Sequence, residues 1–221
     1  NSEGIIDNNK YNRYNFTFRN SWDIVKNVLS MDMGLFYIKQ NNQNSNGQGM
    51  YYNPLVPIYL FPPSDDINKY AVYERYDADR NFKTQYWPYG NQGLGMQNPY
   101  WIINRNMFNT DRDRYIISLS MKWNITNWLN IIGRARIDNA YTDFERKLYA
   151  STDGLFAKSQ GNYMNQEDKN TSTYLDFLVN VDKKFGENYH LLVNLGGSFY
   201  DEKYKSDTFE GNLVGVPNFF P

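Results

Sequence analysis

The chain has 221 residues, with Lys+Arg 23 against Asp+Glu 24 and a formal net charge of -1, a balance that gives no global electrostatic case for a nucleic-acid partner. Cys is 0, which excludes disulfides, thiolate metal sites and cysteine nucleophiles. Mean hydropathy is -0.74 and no run of ~18 apolar residues exists to make a membrane helix, while 18% aromatics, with Tyr 20, Phe 14 and Trp 5, favour pleated, half-buried surfaces. The opening Asn1-Ser2-Glu3-Gly4 has no charged-then-apolar leader and reads as the middle of a longer chain.

Alternation of apolar and polar residues predicts about six strands. The first, from about Tyr11 to Asn20, puts Tyr14, Phe16 and Phe18 on one face and Arg13, Asn15, Thr17 and Arg19 on the other. A short turn at Trp22 to Asn27 leads to the second, about Val28 to Gln40, with Leu29, Met31, Met33, Leu35 and Tyr37 opposite Ser30, Asp32 and Gly34. A long irregular region from Asn41 to Thr110 follows; its Asn/Gln/Gly-rich start, Asn41 to Gly49, is expected to be mobile. The third strand carries Tyr115, Ile117, Leu119, Met121 and Trp123 on one face, and Ser118, Ser120 and Lys122 on the other. Asn124-Ile125-Thr126-Asn127 turns the chain into the fourth, where Leu129, Ile131, Ala135 and Ile137 oppose Asn130, Arg134, Arg136 and Asp138. After a second long loop, Asp143 to Asn170, the fifth sets Leu175, Phe177, Val179 and Val181 against Asp176, Asn180 and Asp182. Lys184 to Asn188 turns it into the sixth, with Tyr189, Leu191, Val193, Leu195 and Phe199 opposite His190, Asn194, Ser198 and Tyr200.

Connection lengths separate two all-β architectures. A soluble sandwich has no reason to alternate them, whereas here every second connection is about four to seven residues and the others about thirty to seventy, the rule of short periplasmic turns and long extracellular loops in outer-membrane barrels. Trp22, Tyr37, Tyr115, Trp123, Trp128, Tyr189 and Phe199 sit near strand ends, where a membrane interface would hold them. The expected fold is therefore a portion of an antiparallel transmembrane β-barrel. Leu119, Met121, Leu129, Ile131, Val179, Val193 and Leu195 would face lipid, and Arg134, Arg136, Asp138, Asp176 and Asn180 the lumen. On that lumenal wall, ion pairs bracing the barrel are the plain reading and substrate contact the sharper one.

Four segments, Lys10-Tyr11-Asn12-Arg13-Tyr14-Asn15-Phe16, Tyr52-Asn53-Pro54-Leu55-Val56-Pro57-Ile58-Tyr59-Leu60-Phe61-Pro62, Met96-Gln97-Asn98-Pro99-Tyr100-Trp101 and Trp128-Leu129-Asn130-Ile131-Ile132-Gly133-Arg134, resemble the SusC/RagA family of TonB-dependent outer-membrane transporters of Bacteroidetes. The resemblance implies that residues 1–221 are a middle portion of a barrel of some twenty-two strands, with plug, TonB-contacting segment and signal sequence outside it. It also implies uptake of an oligosaccharide or oligopeptide with a SusD-like surface lipoprotein as partner, and no catalysis or cofactor. The rival from another class is a secreted or surface all-β carbohydrate-binding module.

Candidate sites divide accordingly. Tyr86, Trp87, Tyr89, Tyr100 and Trp101, with Asp65 and Asp66, offer stacking faces and acceptors in the first long loop, suited to a ligand or the lipoprotein lid; packing of the loop on itself is the equal alternative. Asp77-Ala78-Asp79-Arg80-Asn81 opens like a calcium loop, but Phe82 stands where the turn needs Gly and Pro88 where a Glu should close it. Asp65-Asp66 and Asp111-Arg112-Asp113 default to capping and turn roles. His190, the single histidine, reads as a solvated strand residue.

Overall fold

A computed structural model describes residues 2–45, 51–90 and 96–221; Asn1 and residues 46–49 of the stretch expected to be mobile lie outside them. In chain order the elements are β1 (Ser2–Glu3), β2 (Lys10–Val25), β3 (Leu29–Gln43), α1 (Leu55–Tyr59), a 3-10 turn (Ile67–Ala71), β4 (Glu74–Asp77), β5 (Phe82–Gln85), α2 (Pro99–Arg105), β6 (Asn106–Asn124), β7 (Leu129–Tyr149), β8 (Gly161–Phe185) and β9 (Tyr189–Asn212). Seven strands form one antiparallel sheet in the order β1-β2-β3-β6-β7-β8-β9, with β4-β5 a separate hairpin. The sheet is an open meander. Its edges are β9 on one side and, past the two residues of β1, β2 on the other.

Pairing register carries the sequence alternation across the sheet, with one shift, between Asp23 and Val25 at the turn end of the β2–β3 ladder. Phe18, Leu35, Ile117 and Ile137 stand in one row, and Gly34, Ser118, Arg136, Tyr174 and Tyr200 in the next row on the opposite face. Because side chains have a period of two, one in-register ladder makes one apolar and one polar face. Hairpins close at the same end of the sheet, where Asn27 (φ 63) and Gly186 (φ 64) supply the left-handed positions their tight turns need.

Strand ends differ from the sequence reading. The first turn is only residues 26–28, so Trp22 lies inside β2. β3 runs on to Gln43 and β6 starts at Asn106, which trims the first long connection to residues 44–105. The second shrinks to residues 150–160, because β7 and β8 continue pairing from Asp143↔Glu167 up to Tyr149↔Gly161. Cross-strand polar bonds replace greasy pairs in that extension: Asn165 Nδ2 donates to Asp143 (2.7 Å) and Tyr163 Oη to Glu145 (3.2 Å). With both faces polar, alternation vanishes although the ladder does not.

The buried core lies at the long-loop end, where Tyr70, Met96, Trp101, Ile102, Leu148, Ala150 and Ala157 pack together. Trp101 is 0% exposed, and its Nε1–H donates to Thr152 Oγ1 (3.0 Å), whose hydroxyl donates to Asn106 Oδ1 (2.8 Å). Asn98, equally buried, caps α2 by accepting from the Tyr100 N–H (2.9 Å), while its Nδ2 donates to the carbonyls of Tyr70 (2.9 Å) and Tyr86 (3.0 Å). Gln85 ties this loop to the next, donating from Nε2 to the Ser151 carbonyl (3.0 Å) and accepting at Oε1 from the Asn98 N–H (2.7 Å). The loops thus form a folded cap seated on the ends of β6 and β7. Trp101→Ala should cost about 3 kcal/mol or more in cap stability; limited proteolysis would then cut within residues 51–105 while the sheet's circular dichroism is retained.

Candidate functional site

On the apolar face, the band of large side chains covers residues 29–37 of β3, 115–123 of β6, 129–137 of β7 and 189–199 of β9. Nothing in the described chain lies over it: Trp123 is 50% exposed and Phe177, from an inner strand, 54%. The band also climbs across the sheet. Its upper margin is Tyr14 on β2, level with Asp113 of β6 through Lys39, but Phe199 on β9, level with Leu119 through Leu175 and Ala135. From position 113 to 119 over five strand steps, at ~3.3 Å per residue and ~4.8 Å per strand, the strands tilt about 40° to the band. Aromatic residues mark both margins, with Tyr14, Tyr37, Tyr115 and Phe199 above and Trp22, Trp123, Phe185 and Tyr189 below.

Opposite this band is a polar groove of about 790 Å³. Arg134, Arg136, Asp138 and Asp176 line it together, as their shared register requires. Arg114 grips Asp138 with two bonds (2.8 and 2.7 Å), Arg136 adds a third (3.1 Å), and Arg134 pairs with Asp176 (2.9 Å). Asn180, on the same face, donates to Asn130 Oδ1 (2.8 Å). Tyr174 and Tyr200 add aromatic wall to the groove. Towards the hairpin end, His190 lies 2.6 Å from Asp182 as an exposed strand residue.

In the cap, the aromatic residues singled out from sequence separate. Tyr70, Trp87, Tyr89 and Phe61 interlock edge to face, with centroids 5.3–5.8 Å apart in Phe61–Tyr89 and Phe61–Tyr70 and 5.4 Å in Trp87–Tyr89. Asp65 fastens them, accepting from Lys69 Nζ (2.8 Å), the Asp66 N–H (2.8 Å), Tyr70 Oη (2.6 Å) and Tyr89 Oη (2.7 Å). A carboxylate with four donors has little capacity left for a ligand. Asp66 caps the 3-10 turn through the Asn68 N–H. The Tyr86 ring is already covered by the Arg75 guanidinium, 3.3 Å from its centroid, Tyr100 is half-buried, and Trp101 has no accessible surface. Sequence reasoning missed the side chains the cap does present: Tyr59 (83% exposed), with Leu55, Ile58 and Leu60 on and just after α1, and Tyr76. The long Pro-flanked apolar run at 54–63 was the available signal.

The remaining acidic motifs are structural. Asp77 accepts from the Asp79 and Arg80 N–H groups in the β4-β5 turn, and Asn81 (φ 58) accepts from Tyr76 Oη. Asp111 and Asp113 lie within β6, bonded to Asn41 and Tyr37 of β3. Among the described residues no cluster of three or more His, Asp or Glu is arranged to hold a metal ion. No protein-family model matches the chain, and no curated protein is similar to it.

The donors around Asp65, Lys69 foremost, hold its carboxyl well below the usual carboxylate range, and hydrogen bonding to Asp65 raises the Tyr70 hydroxyl above the usual tyrosine range. A depressed acid contributes stability that is complete above its ordinary pKa and lost as pH falls through the folded value; a raised tyrosine loses its contribution only as pH rises through its folded value. The aromatic cluster should therefore stay packed from about pH 4 to about pH 10. Asp65→Asn should weaken the near-UV circular dichroism of the cap at neutral pH, and an unchanged spectrum would remove Asp65 as the fastening group.

Proposed function

We propose that the chain is a stretch of wall in an outer-membrane β-barrel that imports a hydrophilic nutrient, as its resemblance to SusC/RagA transporters implies. The observation that carries this reading is the exposed apolar band. At ~3.3 Å per residue and a tilt of about 40°, nine to eleven residues span about 23–28 Å, which fits a lipid-facing band of ≈ 25 Å and the strand tilt of membrane barrels. A sandwich would bury that face under a second sheet. Here the β4-β5 hairpin belongs to the cap instead, through bonds from Glu74 to Arg105 and from Gln85 to Ser151.

On this reading the groove of Arg134, Arg136, Asp138 and Asp176, and Asn180 on the same face, look into the lumen. The free edges of β2 and β9 pair with further strands, since unpaired backbone is not tolerated in hydrocarbon. The cap stands on the extracellular side, where it meets an oligosaccharide or oligopeptide or a SusD-like lipoprotein. TonB drives the transport from regions outside these residues. The hairpin turns at 26–28, 125–128 and 186–188 face the periplasm.

Two neighbouring positions test the orientation. Val179→Arg, in the middle of the apolar band, should cost about 2 to 4 kcal/mol of membrane stability, whereas Asn180→Arg, one residue on and on the polar face, should cost little. Equal tolerance of both in a bilayer folding assay would defeat the barrel. For the cap, Tyr59→Ala should weaken uptake or lid binding by about 2 kcal/mol, with normal assembly, if Tyr59 is a contact anchor; an uptake assay beside surface expression reads both.

A further inference from the structure

The apolar band is not evenly filled. On its outer face Gly133 and Ala135 leave a hollow of about 560 Å³ bounded by Leu119, Met121, Leu175, Phe177, Phe199 and Gly197, the last covered by the Phe177 ring. Register places Gly133 between Met121 and Phe177, and Gly197 on the far side of Phe177. A Cβ added at Gly133 meets nothing within 4 Å, so the space is open to solvent in the isolated chain.

Directly above the hollow, on the same face of β8 and β9, three rungs are paired as Thr173↔Asp201, Thr171↔Lys203 and Lys169↔Lys205. Lys169 and Lys205 face each other with like charge, an arrangement that is repulsive by itself. Lys203 lies 3.5 Å from Asp201 and Lys205 is paired with Asp207, but both are exposed pairs, which bind weakly. Glu167 is the next outward residue on β8. Among the described residues Lys169 has no ion-pair partner.

We propose that hollow and lysines are one lipid site, in which an acyl chain of a phosphate-bearing lipid fills the space at Gly133 and Ala135 while Lys169, Lys203 and Lys205 hold its phosphate. The proposal rests on the membrane orientation of the band argued above. Lys203 stands four residues above Phe199 and Lys205 six, about 13 and 20 Å along a tilted strand. Their flexible stems bend back to the headgroup level. The apolar hollow and the ammonium groups are complementary to the two ends of the same molecule, in the order in which a bilayer presents them.

Native mass spectrometry of the full chain, folded in detergent with phosphatidylglycerol or phosphatidylcholine of identical acyl chains, tests the site. Phosphatidylglycerol should be retained about tenfold or more over phosphatidylcholine. The variant Lys169→Gln/Lys203→Gln/Lys205→Gln should erase that preference, and Gly133→Leu should lower retention of both lipids. Equal retention by the unmodified chain, or a preference that survives the triple variant, overturns the proposal. So does displacement of phosphatidylglycerol by inorganic phosphate, which would mean a plain anion site, or a dimer lost with Gly133→Leu, which would mean that a second copy fills the hollow. Failure of the complete barrel, with the strands that pair the edges of β2 and β9, to insert into phosphatidylcholine vesicles is read separately, before any lipid is scored, and defeats the barrel reading itself.

Discussion

Everything in this molecule depends on an antiparallel ladder held in one register over very long strands, with β8 alone running 25 residues. Backbone hydrogen bonds fix which residues are level, and the pleat then sends alternate side chains to opposite faces. A slip of one residue would put Arg134 and Asp176 among Leu119, Phe177 and Leu195, so the hydrophobic band and the ion-pair floor protect the same register from two sides. Among the described residues most of that apolar face finds no partner. In water this would be a liability, as would the long free edge of β9; the hydrocarbon surrounding and further strands of the proposed barrel would resolve both at once.

The cap solves a different problem. Connections as long as residues 44–105 carry many backbone polar groups, and those that are buried must be paired. Asn98 does this centrally, bonding to the carbonyls of Tyr70 and Tyr86 while capping α2. Asp65 gathers the two tyrosines and Lys69 around one carboxylate. Seven residues with a Pro at the start of α2, Asn98-Pro99, and the cluster of rings around Tyr70 give the loop a core of its own, so that the cap is a folded unit rather than a tether.

How much of this was legible in the sequence follows from the same physics. Face assignments were readable wherever one face is apolar, and Leu119, Val179 and Leu195 stand on one side with Arg134, Asp176 and Asn180 on the other, as alternation requires. Strand ends were not. In β7 and β8 beyond Asp143 and Asn170, Asn165 and Tyr163 bond to Asp143 and Glu145 on one face and Arg146 to Asn162 on the other, and a run with polar residues on both faces looks like loop. The role of Asp65 was hidden for another reason: its partner Tyr89 is 24 residues away, and only the folded cap brings them together. The Asn-Pro start of α2 was a readable capping signal, whereas the five-residue α1 owes its form to packing rather than to propensity.

The rings with the strongest look of a binding surface, Trp87, Tyr89 and Trp101, are those the cap uses to hold itself together, and the reason is energetic. A flat aromatic side chain that can bury its area internally and find a partner for its polar tip gains more than one left facing water. Trp101 has Thr152, and Tyr70 and Tyr89 have Asp65, whereas the buried Nε1 of Trp87 has no acceptor among the described residues and that ring is held by packing alone. What the cap leaves unburied is Tyr59, Ile58 and Leu60, an apolar cluster on and just after a short helix with no neighbour over it among the described residues. The internal aromatic packing thus holds α1 in place and leaves its apolar side chains facing outward, the surface that the proposed recognition at the outer end would use.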